Sequence, residues 1–351
     1  MTSNGQPAAR RALKAGIYAP IPTFFTPSED LDLETFTKHV VKVASAGVGL
    51  VITGSMGEAH HLNTEERCTL ITTARKALDD AGLPEVPIIA GTGLAGTRVT
   101  IELTRAAAAA GADAAIVISS GYFVGSIASS KKAQKKLFID VADASPIPVM
   151  VYNYPGATGG LDIESDVIAE LAQHPNICGV KLTCGNVGKL TRVAAAVAAP
   201  GFANVYPRKA ELLPDEPPFL VMGGYADFLV PSIAARGHGA ITGLSNLAPN
   251  AIARTYELGV KALQDPVKGA TLLAEAQVMQ GVLANADRTV AVTGLAGTKF
   301  LLEKMYGYGG VPRTPVLPMD PQDAEALWNH PHVVALVKLE ADVEQRLPNG
   351  P

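Results

Sequence analysis

Lys181 stands in an otherwise apolar, strand-like run, Ile177-Cys178-Gly179-Val180-Lys181-Leu182, where a solvated charge has no ordinary place. A lysine turned into a dry interior can do carbonyl chemistry. Desolvation disfavours the ammonium and leaves neutral amine to attack a carbonyl carbon as a Schiff-base nucleophile. A second apolar run, Val149-Met150-Val151-Tyr152-Asn153-Tyr154-Pro155, ends in tyrosines whose hydroxyls can move protons. The plain alternative for a lone lysine is a strand-end side chain that snorkels its ammonium to water. A nucleophile and a phenol at the ends of neighbouring strands outweigh that alternative.

These two runs belong to a series. Short apolar or β-branched stretches at 17–22, 49–53, 86–90, 114–119, 148–152, 177–182, 219–222 and 239–242 alternate with helix-like segments, clearest at 64–81, 97–110, 131–144, 163–173 and 226–236. Eight such alternations predict an α/β fold in which a parallel sheet closes into a (β/α)8 TIM barrel. Asn63-Thr64-Glu65-Glu66 reads as a capping sequence, and Gly82, Gly111 and Gly237 fall where helices should stop. Residues 1–15 are expected to form a flexible N-terminal segment, 16–263 the barrel, and 264–351, where strands cease, a helical region packed on it. The connection at 200–218 is long for a loop between units six and seven. It reads as an insertion, either a lid or a solvated excursion, whose Arg208 and Lys209 could reach over the rim.

Barrel sites are built at the C-terminal ends of the strands. Those ends carry Gly54-Ser55-Met56-Gly57-Glu58, Gly121-Tyr122-Phe123, Tyr152, Lys181 with Thr183, and Ile241-Thr242-Gly243. The turn at 54–57 offers backbone N–H groups and the Ser55 hydroxyl as a cradle for a carboxylate. Gly224, just past the seventh run, is a further binding candidate. Gly91-Thr92-Gly93-Leu94-Ala95-Gly96 satisfies the dinucleotide pattern GxGxxG, but it lies in the third unit, and Asp113 begins the next strand where a ribose-binding acid should end it. A glycine-rich loop at the rim is the favoured reading. His60-His61 has no third ligand at metal spacing, so no metal site is expected.

Of the 351 residues 48% are hydrophobic and 18% charged, and the net charge of -4 leaves no basic footprint for nucleic acid or an anionic membrane. A small metabolite is the expected partner. Cys68, Cys178 and Cys184 cannot form a complete disulfide framework, which favours a reducing compartment. Arg10, Arg11 and Lys14 precede the first acid, Glu29, without the apolar run of a signal peptide. The cytoplasm is expected, with a short mitochondrial presequence and the matrix as the alternative. No uninterrupted apolar stretch is long enough to span a bilayer.

With these residues assembled, the chain resembles the dihydrodipicolinate synthase and N-acetylneuraminate lyase family of class I aldolases. Within it, the similarity points to the fungal-type 2-keto-3-deoxy sugar acid aldolases and the 4-hydroxy-2-oxoglutarate aldolases. The resemblance runs from about Gly16 to Met319 through GSMGEAHHL, IAGTG, YNYPGATGG, GVKLTCGN followed by GKLTR, and GTKFLLEKMYGYGG. It implies that Lys181 forms an imine with a 2-keto carbon and that Tyr152 shuttles protons. Ser55 would link Tyr152 to a second tyrosine, Tyr122, often supplied across a dimer contact. The Ile241 carbonyl would line the pyruvyl pocket, with Met56, Thr183 and Gly224 beside the substrate. Tyr154 is expected to pack, not to react. No cofactor is implied, and a homodimer or homotetramer is. Ala157 stands where the synthases carry an arginine for a second carboxylate, and Met56 replaces a threonine or asparagine. The expected reaction is cleavage of a 2-keto-3-deoxy-4-hydroxy acid to pyruvate and an aldehyde, foremost a 3-deoxy-hexulosonate giving glyceraldehyde. The alternatives are 4-hydroxy-2-oxoglutarate giving glyoxylate, a condensing synthase, a keto-acid dehydratase, and a silent keto-acid-binding barrel.

Overall fold

The computed structural model describes residues 10–94, 96–209 and 217–346. Eight strands, β1 (Gly16–Pro20), β2 (Gly49–Ile52), β3 (Ile88–Gly91), β4 (Ala114–Ile118), β5 (Val149–Asn153), β6 (Ile177–Leu182), β7 (Leu220–Gly223) and β8 (Gly239–Ile241), pair in parallel in chain order. β8 returns to β1 through Gly16 opposite Gly239, which closes the barrel. The helices are α1 (Leu33–Ser45), α2 (Thr64–Asp80), α3 (Thr97–Ala110), α4 (Val124–Ile127), α5 (Lys131–Ala144), α6 (Ser165–Leu171), α7 (Val187–Val197), α8 (Phe202–Val205), α9 (Leu229–Ala234), α10 (Pro249–Gln264), α11 (Gly269–Tyr306), α12 (Pro321–Trp328) and α13 (Pro331–Glu344). β3 and β5 begin one residue after Pro87 and Pro148, because proline has no N–H to donate to the ladder. At the start of α2, Asn63 and Glu66 form the reciprocal capping box that the sequence motif promises.

Strands covered on both faces lose the alternation of half-exposed strands and become continuous apolar runs. Here one set of side chains, including Tyr18, Val51, Ile89, Ile116, Met150, Cys178, Met222 and Ile241, fills the barrel. The complementary set, such as Ile177, Val180 and Leu182, packs outward with Ile168, Leu190 and Val193 of the surrounding helices.

One irregularity in β6 decides which way Lys181 points. Val149 pairs with Ile177, but Met150 pairs with Gly179, so Cys178 is an extra residue on β6. Strict alternation from the outward Ile177 would turn Lys181 outward as well. The extra residue reverses the parity beyond it, so Val180 and Leu182 face the helices and Lys181 faces the interior. Gly179 permits this crowding, since a Cβ there would lie 2.6 Å from the Leu220 carbonyl oxygen.

The helices after β8 share a core with the barrel: Ala276, Leu283, Ala286, Leu301 and Leu302 pack in one cluster with Ile21, Leu247 and Ile252. A buried ion pair reinforces the join. Lys299 of α11 meets Glu58, just after β2, at 2.6 Å, with side chains 0% and 1% exposed. The second Glu58 oxygen accepts the Arg313 N–H at 2.9 Å.

Arg208, in the segment at 200–218, does not reach over the rim. It turns to the opposite end of the barrel, where its guanidinium donates to the carbonyls of Ala172, His174 and Ile177. Those acceptors lie before or at the start of β6, and three carbonyls converging on one guanidinium hold it at that end. Residues 210–216 lie outside the described part of the chain.

Candidate active site

A cavity of about 260 Å³ opens at the C-terminal ends of the strands. Its floor and walls come from Ser55 and Met56 after β2, Gly93 after β3, Tyr152 and Tyr154 at β5, Lys181 and Thr183 at β6, Gly224 and Tyr225 after β7, and Gly243 and Leu244 after β8. α11 forms the roof with Asp287, Val290, Ala291, Gly294, Leu295 and Thr298. At Gly294 the backbone of α11 leaves helical geometry, with φ 62 and ψ -147, a conformation suited to glycine. The kink lies directly above the cavity.

Lys181 is 7% exposed, and burial lowers its pKa from 10.5 to about 7. Its Nζ makes no ion pair among the described residues and stands 4.4 Å from the centre of the Tyr152 ring. Near neutral pH a large share of the side chain is therefore uncharged amine, against about four parts in ten thousand for a solvated lysine. The other two deeply buried lysines are occupied. Lys189 is bound by Asp162 and the Ile163 carbonyl, and Lys299 by Glu58 and the Val311 carbonyl.

Burial raises the pKa of Tyr152, an effect partly opposed by the hydroxyls of Thr183 and Ser55 beside it. The phenol thus stays protonated and is available as a donor or relay. The Thr183 Oγ1 is buried beside the Tyr152 hydroxyl and faces the cavity. Gly224 makes room for that hydroxyl, since a Cβ there would collide with it. Ser55 lies in a strained turn, with Thr53 at φ 55 and Glu58 at φ 53, left-handed positions that cost non-glycine residues on the order of 1–3 kcal/mol each. Met56 reaches across to β8, where a Cβ on Gly243 would come within 3.1 Å of its methyl group.

The other candidates named from the sequence take different places. Tyr122 is 86% exposed, stacked edge-on against Phe123, and does not reach the cavity of its own chain. Ile241 is wholly buried in the inner layer, and the wall at β8 is made by Gly243 and Leu244. Tyr154, expected as packing, lines the cavity and stacks on Tyr152 with ring centres 5.7 Å apart. The Tyr225 hydroxyl donates toward the Tyr154 oxygen, and burial first, then the neighbouring tyrosines and this hydrogen bond, raise the pKa of Tyr225. His60 also lines the cavity, and burial together with Arg67 lowers its pKa, so it is neutral at pH 7. Its neighbour His61 is turned away to Glu58. Gly91 and Gly93 sit where the rim-loop reading places them: Gly91 ends β3, and a Cβ on Gly93 would press on the Ile118 backbone. Among the described residues no group of three His, Cys, Asp or Glu side chains could hold a metal ion.

A (β/α)8 barrel with a desolvated lysine beside a tyrosine in its mouth has the architecture of a lysine-dependent class I aldolase. The chain belongs to the dihydrodipicolinate synthetase family, whose model matches residues 13–330. It is 40% identical over 344 residues to the L-threo-3-deoxy-hexylosonate aldolase of Aspergillus niger, covering 96% of this chain and 98% of that one. It is 41% identical over 320 residues to the Emericella nidulans "Probable 4-hydroxy-2-oxoglutarate aldolase, mitochondrial", covering 91% and 94%. Among solved structures, a dihydrodipicolinate synthase family protein from Coccidioides immitis superposes with a TM-score of 0.77 at 32% identity, over 95% of this chain and 99% of that one. A family member from E. coli K12, in complex with pyruvate, gives 0.75 at 27% identity over 94% and 99%. The chain is an enzyme, a carbon–carbon lyase of the aldolase type. Among the described residues no helix is long and apolar enough to cross a membrane.

Proposed function

We propose that Lys181 forms a covalent imine with C2 of a 2-keto-3-deoxy-4-hydroxy acid and that the enzyme cleaves its C3–C4 bond. The neutral amine adds to the C2 carbonyl, and loss of water leaves an iminium that serves as an electron sink. Tyr152 accepts the C4 hydroxyl proton as its own proton moves along the Ser55 hydroxyl. The C3–C4 electrons flow into the iminium, and the aldehyde departs. Protonation of the enamine at C3 and hydrolysis release pyruvate and restore the amine. The substrate carboxylate is held by the N–H groups of Ser55 and Met56, with the Ile241 carbonyl and Thr183 bounding the pyruvyl half. The observation that carries this reading is the unpaired, desolvated Lys181 over the Tyr152 ring.

For the substrate we propose L-threo-3-deoxy-hexulosonate, giving pyruvate and glyceraldehyde. Apart from Lys181, no lysine or arginine lines the cavity among the described residues, and Ala157 offers none. A second carboxylate, as in 4-hydroxy-2-oxoglutarate, therefore has no cation to meet it. Comparing kcat/KM for the two acids, with identification of the aldehyde formed, tests the choice. A higher value for 4-hydroxy-2-oxoglutarate places the enzyme in the glyoxylate-forming branch, and loss of water without carbon–carbon cleavage makes it a dehydratase.

The assembly proposed is a homodimer or homotetramer. The exposed Tyr122 and Phe123 would contact a second copy, and Tyr122 would extend the Ser55 and Tyr152 relay from there. The compartment proposed is the cytoplasm. A tagged full-length chain recovered in mitochondria would move it to the matrix.

A further inference from the structure

We propose that Asp287 of α11 determines specificity for the aldehyde half, receiving its tail hydroxyls and turning away a tail that ends in a carboxylate. The proposal rests on the imine at Lys181. Asp287 is 5% exposed and lines the cavity. Its Oδ2 accepts the N–H groups of Ala226 at 2.5 Å and Asp227 at 3.1 Å, which fixes the carboxyl group in one orientation. Its Oδ1 has no hydrogen-bond partner among the described residues.

The position along the cavity wall matches the tail and not the keto group. Lys181 lies over Tyr152, Tyr152 stacks on Tyr154, Tyr154 meets Tyr225, and Tyr225 in turn feels the charge of Asp287. Lys181, the three tyrosines and Asp287 line one cavity, so a substrate anchored at Lys181 can extend its tail past the tyrosines to Asp287. Asp227, adjacent in the same turn, adds a like charge, and Arg288 lies beside Asp227. Hydroxyl donors are well received by such a carboxylate, and an anionic tail meets repulsion. Burial and Asp227 raise the Asp287 pKa to about 7, so assays run well above that value keep it ionised.

A purely structural role, capping the turn after β7, needs only an acceptor oxygen, and Asp287→Asn keeps one. The variant is expected to lower kcat/KM for the six-carbon acid about 10- to 100-fold, chiefly through KM, as befits a lost hydrogen bond to a charged group. It should leave 4-hydroxy-2-oxoglutarate unchanged or improved, and trap pyruvate on Lys181 under borohydride as the parent does. An unchanged ratio of the two substrates with trapping intact overturns the role of Asp287 alone. A parent enzyme that traps no pyruvate overturns the imine reading and this proposal together. A second measurement does not depend on the variant folding. In the parent, a substrate analogue without tail hydroxyls should lose a similar factor, and equal turnover of analogue and substrate contradicts the proposal.

Discussion

Replacing Lys181 with methionine should make the protein more stable while abolishing imine formation, and the stability gain should depend on pH. The fall of the lysine pKa from 10.5 to about 7 amounts to roughly 4–5 kcal/mol of discrimination against the buried ammonium, at about 1.4 kcal/mol per pH unit. Methionine has similar length and no charge to desolvate. Against this gain stand the lost contact with the Tyr152 ring, about 1–2 kcal/mol, and water already entering the open cavity. A net gain of about 2–3 kcal/mol remains. For 351 residues, at about 2.1 cal/mol/K of unfolding entropy per residue, that raises Tm by roughly 3–4 °C. The sign follows from a folded pKa that lies below the unfolded one. Below about 7 both states of the parent hold the proton, and the penalty is complete. As pH rises toward 10.5 the fold has shed a proton that the unfolded chain still binds, so the parent gains stability and the difference shrinks. Urea midpoints of parent and Lys181→Met at about pH 6 and about pH 9 measure both effects. No gain at the lower pH, or a gap that does not change with pH, would show that the ammonium is solvated in place and would remove the physical basis for its reactivity.

Tyr152→Phe should retain imine formation while cleavage falls by about 10²-fold or more; equal losses in pyruvate trapping and in turnover would assign the hydroxyl to imine formation instead. Gly179→Ala pushes a methyl group against the Leu220 carbonyl and should cost about 1–3 kcal/mol. It should also reduce borohydride trapping, because the irregularity in β6 that aims Lys181 inward is disturbed; unchanged urea midpoint and trapping would refute this. Lys299→Met strands the buried Glu58 carboxylate and should cost about 3–5 kcal/mol, and adding Glu58→Gln should restore part of it. A double variant no more stable than the single one would deny that the pair is coupled.

The barrel was legible because parallel strands buried on both faces leave unbroken apolar runs in the sequence, and the boundary shifts at Pro87 and Pro148 follow from a missing N–H. Lys181 stood out as a charge within such a run. Its inward direction was not legible, since it depends on the extra residue Cys178 in the pairing with β5, which no local periodicity encodes. That Tyr154 packs on Tyr152 and also lines the cavity was only half legible, because a side chain beyond the end of a strand is freed from alternation. Asp287 and Thr298 were invisible for a different reason: each is an ordinary polar residue in a 38-residue helix, brought over the cavity only by the packing of that helix and its kink at Gly294. Arg208 misled because charge alone does not tell which end of a barrel a long side chain will serve.

The most direct measurement is borohydride reduction in the presence of pyruvate, followed by peptide mass mapping. A single adduct is expected on the peptide carrying Lys181, forming more slowly as pH falls below about 7, where the amine becomes protonated. Lys189 and Lys299, held by Asp162 and Glu58, should remain unmodified. An adduct on either of them, or none at all, would contradict the imine mechanism.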